Sequence, residues 1–244
     1  ITNIGLDRMA LEYDFLDYCQ VGTGSTTPAY TDIALVSRVG STNSYVSRNG
    51  TVNSTSPYYR SYIWVYRFGA GVATGNLSEV GVGWASSGSL FSRALIVDSY
   101  GNPTTITVLS DEYLDVTYEN RFYLEESDVT GNITFTGNIG GTYSYTLRPA
   151  RIAIFNGTQW TSYGIHPCPM SNCGPDHGYT DIINRVYDGS IGPITSMPSG
   201  NYLDISLNVI RNISYTSGTH SITLNINLGL ADGNLAGGIK SMLF

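Results

Sequence analysis

Apolar and polar residues alternate with a period of two in several runs along this chain. Residues 58–68 (YYRSYIWVYRF) are the strongest case, and 104–109, 113–123, 202–215 and 221–230 follow the same rule. Side chains of a strand point to opposite faces in turn, so this period predicts half-buried β-strands. Residues 81–84 (GVGW) and 90–97 (LFSRALIV) are more uniformly apolar and read as buried strands; 15–21, 132–137, 142–147 and 151–155 complete the set. Turn signals divide them. Gly22-Thr23-Gly24-Ser25 ends one strand and Gly101-Asn102-Pro103 separates two others, since Gly tolerates positive φ and Pro cannot extend a ladder. Residues 42–56 are polar and read as a turn-rich connection. A single helix is predicted over 3–12 (NIGLDRMALE), where Ile4, Leu6, Met9, Ala10 and Leu11 form an apolar stripe and Thr2 or Asn3 can cap it.

These elements make an all-β chain: two β-sandwich-like halves preceded by a short N-terminal helix and an extended arm. Helix and arm occupy residues 1–38, the first sandwich 39–124 and the second 125–244, which carries a long irregular loop over 164–200. A loop of that length inside a compact domain tends to be functional. A short internal repeat relates the halves. GAGVATGNLSEVGVGW at 69–84 aligns with NLGLADGNLAGGIKSML at 227–243 on Gly-Asn-Leu, each after a long alternating strand.

Composition sharpens this picture. Charged residues make up only 13% of the chain, and its one Lys is Lys240. Helix surfaces draw on Lys and Glu, so their scarcity favours strands. With a net charge of −7 the chain lacks the clustered cations that non-specific nucleic-acid binding requires. No apolar run approaches the ~18 residues of a membrane-spanning helix. The expected partners therefore include neither nucleic acid nor membrane. A surface of hydroxyls, amides and tyrosines is buried against another protein at low desolvation cost, so an oligomer is expected.

One cluster carries candidate chemistry. His166, Cys168, Cys173 and His177 follow H-x-C-x4-C-x3-H in a loop rich in Pro and Gly. Thiolates and imidazoles at such spacing can close a structural zinc site, the one cofactor the chain suggests. A Cys168–Cys173 disulfide and free thiols beside surface histidines are the other two readings. Cys19 reads as a small buried residue. Tyr58, Tyr59, Tyr62 and Tyr66 lie on the aromatic strand, where outward-facing rings suit sugar stacking or subunit contacts. Catalytic signatures are missing: there is no G-x-S-x-G, no P-loop and no H-E-x-x-H. Glu125, Glu126 and Asp128 read as a solvated linker before they read as a glycosidase pair. The expectation is that the chain is not an enzyme.

Three blocks in fixed order carry a likeness: CQVGTGSTTPAYTDIAL at 19–35, GNLSEVGVGW at 75–84, and the run from LFSRALI to LDVTY at 90–118. Together they resemble a family of bacteriophage virion proteins, the tail, collar or fibre-associated subunits. The ends, TNIGLD at 2–7 and NLAGGIK at 234–240, look like that family's ends as well. The resemblance implies a structural subunit of the phage particle, assembling with copies of itself and with neighbouring virion proteins. An alternative is a virion-borne module that binds a host receptor or carbohydrate. Val21, Gly22, Thr23, Gly24, Ser25, Pro28 and Asp32 form an extended, Gly/Pro-rich stretch with no charge before Asp32. It is expected to be an assembly arm lying across a neighbouring subunit; the other reading is a loop folded back on its own sandwich.

Overall fold

The structure, a computed structural model, describes residues 1–12, 14–53, 55–123, 125–135, 140–148, 185–194, 196, 198–204, 210–219, 222–227, 236 and 239–243. Helix α1 (Asn3–Leu11) is followed by β1 (Tyr18–Gly22), β2 (Arg38–Thr42), β3 (Tyr45–Asn53), β4 (Tyr59–Phe68), β5 (Gly75–Leu77), β6 (Glu79–Gly83), β7 (Leu90–Leu95), β8 (Ile106–Val108) and β9 (Leu114–Tyr123). Beyond them lie β10 (Val129–Phe135), β11 (Gly141–Leu147), β12 (Arg185–Tyr187), β13 (Tyr202–Asp204), β14 (Ile210–Tyr215), β15 (Ile222–Asn227) and β16 (Ser241–Leu243). The protein is all-β with one short N-terminal helix, as the alternation predicts.

Two antiparallel sheets form the sandwich of the first half, one ordered β2-β1-β6-β7 and the other β3-β4-β9. The two-stranded pair β5-β8 adds Leu77 and Val108 to the same core. The core gathers Cys19 and Val21 of β1, Tyr66 and Phe68 of β4, Val82 of β6 and Phe91 of β7, with Phe15, Leu16, Leu77 and Val108. Phe15 and Phe91 meet at 4.9 Å between ring centroids. Leu114, Val116 and Tyr118 line the inner side of β9 against this cluster.

Helix α1 is tied to the edge strand β7. The side chain of Thr2 caps the helix by accepting from Gly5 N (3.0 Å), while Thr2 N donates to Phe91 O (2.8 Å). A Cβ on Gly5 would stand 2.6 Å from Phe91 Cα, so only glycine allows the helix to sit this close.

Two readings need correction here. Residues 42–56 are not mainly turn: β3 fills most of them and pairs along its length with β4. Its solvated edge position explains the missing alternation, because a strand exposed on most of its residues needs no apolar face. The apolar run 81–84 ends as a strand at Gly83, and Trp84 is half-buried with the Arg8 guanidinium 5.6 Å from its ring.

In the second half β10 and β11 form a hairpin, β13-β12-β16 a three-stranded sheet, and β14-β15 another hairpin. Val186 and Tyr187 are buried. The counterpart of the internal repeat falls largely outside the described residues, as does the strand expected at 151–155.

Truncating Phe91 to Ala is expected to cost about 3–5 kcal/mol, the range for a large aromatic lost from a core. Trp84→Ala should cost less, under about 2 kcal/mol, because its ring is only partly withdrawn from water. Denaturant unfolding of both variants checks the order; a larger loss at Trp84 would contradict this assignment of the core.

Candidate functional site

The connection from β1 to β2, residues 23–37, contains most of the expected arm, and one side chain organises it. Glu79 opens β6 with its side chain wholly buried. Its Oε1 accepts from Gly24 N (3.0 Å) and Ser37 N (2.8 Å). Its Oε2 accepts from Val36 N (3.2 Å) and from Arg93 Nε (2.8 Å). Arg93, on β7, relays the connection outward. Its Nη1 donates to Asp32 Oδ2 (2.9 Å) and its Nη2 to Thr26 O (3.0 Å). Asp32 in turn accepts from Ala29 N (2.8 Å). Start, middle and end of the loop are thus held from one carboxylate.

The glycines of the first block serve this approach. A Cβ on Gly24 would lie 2.4 Å from Glu79 Oε1, and one on Gly22 would lie 2.4 Å from Ser37 O. Ser78 N donates to Gly22 O (2.9 Å) and Ser78 Oγ to Gly24 O (2.9 Å), which pins the same turn from its other side.

Burial opposes the charge on Glu79, but the bonds from Ser37, Arg93, Val36 and Gly24 outweigh it and hold its pKa below the ordinary 4.5. Burial likewise works against the Arg93 charge, and Asp32 and Glu79 restore it, leaving its pKa raised. The Ala29 amide, then Arg93, lowers Asp32. Each Glu79 oxygen already accepts two hydrogen bonds, so the group is suited to holding the loop rather than to exchanging a proton. Its result is a fixed loop that turns Tyr30 (69% exposed), Ile33 (61%) and Val36 (57%) to solvent.

The sequence-predicted residues divide. Val21 and Gly22 are buried in β1, between β2 and β6, and Gly24 is buried against Glu79. They are therefore no free arm; the stretch folds back on its own sandwich, because a carboxylate of that sandwich needs its amides. Thr23 and Ser25 are exposed, Pro28 is half-buried and Asp32 belongs to the ion cluster.

Of the tyrosines proposed to face outward, Tyr62 and Tyr66 are buried, and only Tyr58 and Tyr59 are partly exposed. The even positions of β4 face between the sheets, and the Tyr66 hydroxyl donates to Leu16 O. Burial pushes the pKa of that phenol well up. On the outer face Tyr59 pairs instead with Tyr123, at 5.2 Å between centroids, and the Arg121 guanidinium stands 5.0 Å from the Tyr59 ring.

His166, Cys168, Cys173 and His177 lie outside the described residues. Among the described residues no three His, Cys, Asp or Glu side chains are grouped to hold a metal ion. Cys19 is free and buried, its thiol pushed up to about 12 by burial. The three linker carboxylates are engaged separately: Glu126 with Tyr58 N (2.9 Å), Asp128 with Arg148 Nε (2.7 Å) and Glu125 with Ser127 N (3.1 Å).

Sequence reading missed Glu79 and Arg93 as a pair. Their signal was present, since each is a lone charge inside an apolar strand (EVGVG, LFSRAL), and buried charges are almost always paired. Comparison with known proteins adds no relative: no family model, no curated protein and no solved structure matches the chain.

Glu79→Ala leaves Arg93 Nε and the amides of Gly24, Val36 and Ser37 without their buried acceptor, with Arg93 paired to Asp32 alone, and should cost about 3–5 kcal/mol. Limited proteolysis would then cut within 23–37. The pH dependence has a definite sign. The folded pKa of Glu79 lies below its unfolded value, so its stabilisation is complete above about pH 4.5 and is lost as pH falls through the folded value. Thermal melts of the protein should decline more steeply below that pH than those of Glu79→Gln. Parallel declines would contradict the assignment.

Proposed function

We propose that this chain is a non-enzymatic structural subunit of a bacteriophage particle, in the tail or collar apparatus, that assembles with copies of itself and with neighbouring virion proteins. One observation carries the reading. The blocks on which the resemblance rests, far apart in sequence, meet in one buried cluster: Gly24 and Asp32 from the first, Glu79 from the second, Arg93 from the third. A likeness carried by residues that bond to one another is a likeness of a folded unit, not of scattered short matches.

The hairpin β10-β11 supports assembly. Val129 stands opposite Leu147, Gly131 opposite Tyr145 and Ile133 opposite Tyr143, so one face is apolar, while Thr130, Asn132 and Thr134 meet Thr146, Ser144 and Thr142 on the other. Neither face carries a charge, and Val129, Ile133, Tyr145 and Leu147 are 41–52% exposed. Two-stranded hairpins are marginal in water, so this apolar face gains most from a packed neighbour.

A second reading, a host-glycan or receptor contact made by a virion protein, draws support from the Tyr59–Tyr123 pair and its Arg121, since tyrosine faces stack on sugar rings.

Quantitative mass spectrometry of purified particles tests the first reading. The expected outcome is this chain at a fixed, multiple copy number, and its absence from intact particles would overturn the proposal. A glycan array with the isolated protein addresses the second: binding should be lost in Tyr123→Ala, and silence of the array removes that reading.

A further inference from the structure

The two sheets of the sandwich end differently. The sheet β2-β1-β6-β7 is guarded, with register breaks at Val21/Gly22 and Val82/Gly83. Its β7 edge is closed by backbone bonds from Thr2 N to Phe91 O (2.8 Å) and from Leu90 N to Ile33 O (3.4 Å). The sheet β3-β4-β9 has one register break, at Tyr45/Ser47 in β3, and among the described residues no backbone bond closes its outer edges. Its strand β9 pairs with β4 over ten residues without a bulge, contains no Pro, and is the outermost strand. Edges of this kind invite pairing with another chain.

The direction of the free groups follows from the ladder. Successive residues of a strand turn their N–H and C=O to opposite edges. Arg67 N donates to Ser44 O (2.9 Å), so the odd residues of β4 aim at β3 and the even ones at β9. Trp64 pairs with Tyr118 and Tyr66 with Val116, which sets the even residues of β9 towards β4. Asp115, Thr117, Glu119 and Arg121 therefore turn their backbone groups outward. On the far edge Ile63 pairs with Asn49 and Val65 with Ser47, so Arg48, Gly50 and Val52 turn theirs outward from β3.

We propose that the outer edge of β9 pairs with the outer edge of β3 in a second copy of this chain, continuing the sheet from subunit to subunit. The inference deepens the assembly reading and rests on it for the identity of the partner. The regular stretch of β3, seven residues from Ser47 to Asn53, fits within the ten of β9. They also differ in charge: β3 carries Arg48 alone, whereas β9 carries Asp115 and Glu119 against a single Arg121. The exposed charges of β9 are answered within the subunit, Asp115 by Arg67 (2.8 Å) and Glu119 by Arg121 (2.7 Å), so none stands unpaired to repel a neighbour. Both strands run antiparallel to β4 and hence parallel to each other. A copy displaced sideways thus presents β3 parallel to β9. The contact is head-to-tail, so it repeats into a ring or a filament.

Hydrogen exchange on the intact protein, followed by mass spectrometry, tests this directly. In assembled material the amides of Asp115, Thr117, Glu119 and Arg121, together with those of Arg48, Gly50 and Val52, should exchange about tenfold or more slowly than in dilute monomer. Thr117→Pro removes one outward amide and no bond to β4, so it should abolish assembly with the near-UV spectrum unchanged. If that variant fails to fold, the exchange pattern of the unaltered protein decides alone. Assembled protein whose β9 amides still exchange freely would overturn the inference while leaving the virion reading intact. Protection of β9 without β3 would overturn the proposed partner edge. A chain missing from particles and monomeric at all concentrations would overturn both.

Discussion

A carboxylate taken wholly out of water must be answered by hydrogen-bond donors, and Glu79 is answered by three backbone amides of one loop and by Arg93. The arrangement of the first half depends on that requirement. The amides of Gly24, Val36 and Ser37 are brought to the carboxylate only if the chain leaves β1, turns back over the sheet and re-enters it as β2. Gly22 and Gly24 are glycines because a Cβ at either would collide. Arg93 needs its own neutralisation, which extends the network to Asp32 and Thr26 near the surface.

The same network links core to surface. Residues that face solvent on the loop, Tyr30, Ile33 and Val36, are apolar and yet fixed in place, since Tyr30 O accepts from Asn3 N, Ile33 O accepts from Leu90 N and Val36 N donates to Glu79. Ordinarily an exposed loop loses conformational entropy when a partner orders it; here that cost has been met by folding. Rigid apolar groups at low entropic cost are what a subunit contact uses. The exposed apolar face of β10-β11 and the open edge of β9 are of the same character, each a surface whose backbone is already in place. Among the described residues, backbone bonds close the β7 edge of one sheet and none closes the β9 edge of the other.

The strands themselves were legible because period-two alternation is a local property that burial on one face imposes. β4 and β9 read directly from it, and α1 from its stripe and its Thr2 cap. β3 was hidden, since an edge strand with little burial has no alternation to show. Alternation along β4 showed that its tyrosines divide between two faces, but not which face turns inward. Packing settles it: Tyr66 joins the core between the sheets, Tyr62 is buried beside Phe122, and Tyr59 lies beside Tyr123.

By itself the sequence determined the all-β class, the position of most strands of the first half and the low charge that makes its surfaces cheap to bury. It also held two lone charges in apolar strands, at positions 79 and 93, without stating that they meet. Only the tertiary structure decided that they do, because β6 and β7 lie side by side with Val80 opposite Ala94 and Gly81 opposite Arg93. It decided equally that residues 21–32 fold back on their own sandwich. An extended Gly/Pro-rich stretch satisfies its backbone equally well on its own body or on a neighbour's, and the buried Glu79 is the donor-seeking group that settles the choice.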